Sequence, residues 1–144
     1  MKAKMLAAAS IFILLVGGGL VYIFLQQQQE QPQTPLFTQV DFDVAHKKAA
    51  VDRMDWSTGK AVYEYVALTE AQQQEILRLF EGATFETMDA FPEDYDYSIT
   101  LNWNTRHRLF IDLDAQAVVD PENTTAYRIT SNAQEIVAAF NALQ

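Results

Sequence analysis

The sequence predicts an α+β fold: a two-layer domain with an antiparallel sheet and two helices packed on one face, preceded by a single N-terminal transmembrane helix. Three observations carry this. An uncharged apolar run opens the chain, period-two alternation recurs in several segments of the remainder, and two Thr/Ser-x-x-Gln signatures each precede an apolar helical stripe.

The first element is Met5–Leu25, 21 residues without a charged side chain, following a short segment at residues 1–4 that carries Lys2 and Lys4. At about 1.5 Å per residue it spans roughly 30 Å, the thickness of the bilayer's hydrocarbon core. A cleaved signal peptide has a shorter apolar stretch ending at a small-x-small site. Here the run continues through Tyr22, Ile23, Phe24 and Leu25, although Gly17, Gly18 and Gly19 offer a place where cleavage would occur if it did. The positive-inside rule sets Lys2 and Lys4 in the cytoplasm and the remainder of the chain outside. The glycines are consecutive and form no GxxxG dimerisation face, so no oligomeric state is implied.

Residues 26–35, QQQQEQPQTP, are polar and interrupted by Pro32 and Pro35, a composition suited to a solvated linker. Residues 36–144 then form one extracytoplasmic domain of ordinary size. Val40, Phe42 and Val44 alternate with polar residues and predict a first strand. Trp56–Gly59 separates a strand around Ala49–Met54 from another over Ala61–Leu68. Thr69 and Gln72 have the spacing of a capping box, predicting a helix from about Glu70 to Glu81, stopped at Gly82, that buries Ile76, Leu77 and Phe80. Tyr97–Trp103 and Arg108–Leu113 alternate across a turn at Asn104-Thr105, and Tyr127 with Ile129 continues the sheet after a turn at 114–116. Ser131 and Gln134 repeat the capping signature. The helix that follows, about 132–143, is expected to bury Ile136, Val137, Phe140 and Leu143.

Charge and composition narrow the functional classes. From Leu36 onward, eight cations stand against eighteen carboxylates, a net charge of −10 that opposes nucleic acid and anionic lipid. The chain has no cysteine, hence no disulfide, thiolate nucleophile or cysteine zinc site. His46 and His107 belong to no ligand spacing, none of the four serines lies in a GxSxG elbow, and only two glycines fall outside the apolar run. No cofactor, metal or catalytic group is implied, and the chain reads as a non-enzyme. Asp112, Asp114, Gln116, Asp120 and Asn123 echo a calcium loop, but Ala117 stands where the turn needs glycine and the bidentate glutamate is missing. Asn123-Thr-Thr125 matches a glycosylation acceptor, which by default is a chance match.

Two surfaces are candidates for binding. An acidic loop over 86–96 surrounds Phe91-Pro92 and suits a basic partner. The sheet face opposite the helices presents Thr100, Asn102, Arg108, Phe110 and Arg128, with Phe110 expected to be an open aromatic flanked by two arginines, residue types enriched at binding hot spots. The expected role is a membrane-anchored, non-catalytic interaction module, held in the bilayer by residues 5–25, that works as a subunit or regulator of an envelope or membrane protein complex. The alternative is a sensor or inhibitor that binds a peptide along a sheet edge or on the Phe110 face. An enzyme is the least favoured reading.

Overall fold

A computed structural model describes residues 36–144. The apolar run at 5–25, the residues ahead of it and the linker at 26–35 lie outside the described residues.

Seven strands form one fully antiparallel sheet: β1 (Lys48–Asp55), β2 (Val62–Val66), β3 (Phe85–Met88), β4 (Tyr97–Asn102), β5 (Arg106–Asp112), β6 (Ala117–Asp120) and β7 (Thr125–Ile129). Their spatial order is β2-β1-β4-β5-β6-β7-β3, which leaves β2 and β3 at the two edges. Two helices complete the fold, α1 (Glu70–Glu81) and α2 (Ala133–Asn141). The domain is thus α+β, an antiparallel sheet with two helices.

Alternation decides which side chains enter the core. Val51, Tyr97, Ile99, Leu101, Leu109, Ile111, Val118 and Tyr127 share one face and pack with Ile76, Leu77, Leu79 and Phe80 of α1 and Ile136 and Phe140 of α2. Tyr97 lies 5.0 Å from Phe140 between ring centroids, and its hydroxyl donates to the Phe140 carbonyl at 3.3 Å. Val137 and Leu143 are only half-buried.

The first helix begins as its sequence predicts. The Gln72 backbone N–H donates to Thr69 Oγ1 and the Thr69 N–H to Gln72 Oε1, and Gly82 ends the helix. The second does not. Its N-cap is Asn132, in the left-handed region at φ 58°, and no side chain caps it. Ser131 is occupied elsewhere: its hydroxyl accepts from the Thr84 N–H at 2.8 Å and donates to the Gly82 carbonyl at 3.4 Å, while Asn132 Nδ2 donates to the Leu79 carbonyl. These residues satisfy carbonyls left open at the end of α1 rather than N–H groups at the start of α2.

Residues 40–44 are not a strand. Asp41 accepts from the Asp43 N–H, and Asn104 holds both the Asp41 N–H and the Gln39 carbonyl, so local polar groups take the bonds a ladder would need. The apolar residues are still used. Phe37 sits edge-on to Phe42, Phe85, Trp103 and His107, within 6.3 Å of each, and closes one end of the core. Lys47 Nζ fixes this segment by donating to the Phe42 carbonyl and to Glu81 Oε1 at 2.7 Å, and Trp103 Nε1 donates to the same oxygen at 2.9 Å.

Part of the segment expected to be an acidic loop is the edge strand β3, paired Phe85↔Ile129 through Met88↔Ala126. Only 89–96 is irregular. From β3 it must pass β7, β6 and β5 to reach the place of β4.

Candidate interaction surface

The face opposite the helices is built from a register that crosses every strand: Met88, Ala126, Val119, Phe110, Ser98, Asp52 and Tyr65 oppose one another in turn. It is not an open polar face. Ser98, Ala117, Val119 and Ala126 are buried, and Phe110 is half-buried rather than open. The 89–96 connection accounts for part of this, bringing the Tyr95 ring to 5.4 Å from that of Phe110. Asp96 anchors the connection. Its N–H donates to the Ile111 carbonyl, its own carbonyl accepts from the Met54 N–H, and its carboxylate accepts from the Leu113 N–H at 2.7 Å.

Aromatic rings and one guanidinium form a continuous series on this face. Trp56 Nε1 donates to the Tyr95 carbonyl at 2.9 Å, Tyr95 packs on Phe110, and Arg108 lies 5.5 Å from the Phe110 ring and 5.3 Å from that of Tyr63. Such cation–π geometry holds Arg108 between two rings, and its Nε donates to Ser98 Oγ at 3.2 Å. Of the residues singled out from sequence, Arg108, Phe110, Thr100 and Asn102 lie together on β4 and β5, with Thr100 opposite Arg108 and Asn102 opposite Arg106. Arg128 does not flank Phe110. It stands exposed on β7, beyond β6, opposite Ala117 and Glu86, where it borders a hollow of about 310 Å³ with Thr87, Met88, Asp89 and Ala90.

The sequence reading missed the neighbouring edge. Large apolar side chains exposed to solvent gather at Trp56, Val62, Tyr63 and Tyr65, with Phe91 apart on the 89–96 connection. Tyr65 is 71% exposed. The available signal was Val62-Tyr-Glu-Tyr-Val66 itself, apolar on both parities with one charge, a composition that suits a buried strand and is unusual at an edge.

Two carboxylates of the calcium-like spacing are committed to turns. Asp112 accepts from the Ala115 N–H, and Asp120 accepts from the Glu122 and Asn123 N–H groups and from Asn123 Nδ2. The calcium-like spacing therefore does not converge: β6 lies between these two turns, about 13 Å of extended chain. Among the described residues, no group of three His, Asp or Glu side chains is arranged to hold a metal ion. Partial desolvation pushes the carboxyl of Asp96, an otherwise exposed residue, above its ordinary range, and Asp112, Asp114 and Asp94 add to this against the lowering effect of the Leu113 N–H.

The histidines are far apart in character. His46 is exposed in the irregular segment ahead of β1, not on a strand. His107 on β5 is half-buried beside Phe37 and Trp103, and its Nε2 shares a hydrogen bond with Thr105 Oγ1 at 2.8 Å. Burial holds its imidazole below the usual range, with Asp120 and Glu122 opposing. A shallow apolar groove of about 250 Å³ lies between the helices, lined chiefly by Ala71, Ile76, Ala139, Ala142 and Leu143.

Among the described residues, no helix is long and apolar enough to cross a membrane. Comparison of the chain with protein-family models, curated proteins and solved structures finds no match.

Proposed function

We propose that this chain is a membrane-anchored, non-catalytic interaction module, with residues 5–25 in the bilayer and the α+β domain outside the cytoplasm. In this role it serves as a subunit or regulator of an envelope or membrane protein complex. The observation that carries the reading is the join between anchor and domain. An uncharged run of bilayer length is followed, after a ten-residue linker, by Leu36, which is part of the domain core, and Phe37, which packs against it. A domain tethered this closely works within a few nanometres of the membrane.

Support for an interaction role comes from the β2 edge, where Tyr63 and Tyr65 are exposed on one face and Val62 on the other, since exposed apolar side chains at a sheet edge suit recognition of another chain. The second reading, a sensor or inhibitor that binds a peptide, draws on the same residues and on Arg108 held between Tyr63 and Phe110. The test is crosslinking in native membranes. A recurrent protein neighbour joined to the domain supports the module, and repeated failure to capture any neighbour counts against it.

A further inference from the structure

We infer that β2 is a docking edge that takes up an extended, basic segment of a partner protein as an eighth strand of the sheet. This rests on the interaction-module reading and names its surface. The two edges of the sheet differ in kind. β3 has four residues, carries Glu86 on its exposed side and is followed at once by Asp89, charges that discourage pairing. β2 has five, four of them exposed, with no proline and no lysine within it.

β2 also projects past the layer that packs on the rest of the sheet. Val62 and Glu64 share the helix face, yet Val62 is 48% exposed and only Val66 packs against the core. Tyr63 and Tyr65 stand exposed on the other face. An incoming strand would cover Val62 and Val66 with one set of its side chains and the two tyrosines with the other, while its backbone pairs with the free edge.

Charge selects the occupant. Glu64 is the one charge on the strand, and its nearest cation, Arg53, is 3.8 Å away with most of the Glu64 side chain in solvent. Asp55 and Glu70 flank the two ends of the edge, with Lys60 the one cation next to the strand in sequence, and the domain as a whole carries −10, from eight cations and eighteen carboxylates. A second copy fits poorly. The antiparallel register that pairs all five residues sets Glu64 against Glu64 of the copy, and like charges directly opposite are destabilising. A segment with Lys or Arg opposite Glu64 and β-branched residues on either side meets both the shape and the field.

The test places a photo-crosslinking amino acid at Tyr65 of the full chain in native membranes and maps the joined peptide by mass spectrometry. The expected product is a Lys/Arg-containing segment of another protein. Glu64→Lys should cut its yield about tenfold or more, and Lys→Glu in the captured segment should restore it. A thermal melt matching the unaltered chain shows that Glu64→Lys folds. Crosslinks to β2 of a second copy, to an uncharged or acidic segment, or to lipid overturn the inference, as does capture indifferent to Glu64→Lys. If Tyr65 captures nothing while a crosslinker at Phe91 or Ala142 captures a protein, the edge is refuted and the module stands. If none captures a protein, both fall.

Discussion

Glu81 holds the entrance to the domain, and its removal has a calculable effect. One carboxylate oxygen accepts from Lys47 Nζ at 2.7 Å and from Trp103 Nε1 at 2.9 Å. Lys47 and Glu81 side chains are 24% and 20% exposed, so the pair is largely withdrawn from solvent. A hydrogen bond to a charged group contributes about 1.5–3 kcal/mol, and leaving a buried donor such as the Trp103 indole unpaired costs about 1–3 kcal/mol. Against this, Glu81 is an acid in the last turn of α1, where the helix dipole disfavours it by about 0.3–1 kcal/mol. Glu81→Ala should therefore destabilise the domain by about 3 kcal/mol, or roughly 10–20 °C in melting temperature for a domain near 100 residues. Glu81→Gln keeps an acceptor for Trp103 and should cost about 1 kcal/mol. Urea titration followed by tryptophan fluorescence reads both, because Trp103 is one of only two tryptophans. A Glu81→Ala midpoint equivalent to less than about 0.5 kcal/mol of destabilisation would refute the claim that this oxygen clamps the segment after the linker to the core.

Three further outcomes follow from the structure. Asp96, whose carboxyl is raised by partial desolvation and by Asp112, Asp114 and Asp94, binds its proton more tightly folded than unfolded. Its contribution to stability is full below the unfolded carboxylate range and lost as pH rises through its folded value, so Asp96→Asn should gain stability at pH 7 relative to pH 3 in urea titrations at the two pH values. His107, lowered by burial, contributes in the opposite direction: stability falls as pH drops from about 6.5 toward its folded value, and His107→Gln should flatten melting curves recorded between pH 7 and pH 5. Phe110→Ala should cost about 1–2 kcal/mol, below the roughly 3–5 of a fully buried phenylalanine, because Phe110 is only half-buried under Tyr95 and Arg108. A cost above about 4 kcal/mol in the same titration would place it in the core instead.

Elements written by local rules were legible in the sequence. β4 and β5 alternate cleanly because one face packs on the helices, and the Thr69–Gln72 cap is complete within four residues. Failures arose where a distant group competes for the same atoms. Ser131 has the spacing of a cap, but Thr84 and Gly82, 47 and 49 residues away, take its hydroxyl. Residues 40–44 alternate like a strand, but Asn104, on the β4–β5 turn, holds their backbone in turns. β3 was hidden in an acidic segment because its partner, β7, arrives forty residues later.

The binding surface shows the same division. Alternation put Thr100, Asn102, Arg108 and Phe110 on one face, and they lie there. That Tyr95 covers Phe110, that Arg128 lies beyond β6, and that β2 is an edge all depend on strand order, which no local pattern encodes. A strand apolar on both parities reads as central until the order of the sheet is known.

Crosslinking with mass spectrometry on intact membranes, through the exposed Lys48 and Lys60, tests whether the domain is held at the membrane to meet a protein there. The chain is expected to sediment with membranes, and these lysines to join to the extracytoplasmic part of another membrane or envelope protein. Recovery in the soluble fraction, or a chain that is membrane-bound but yields no protein neighbour in repeated experiments, would contradict it.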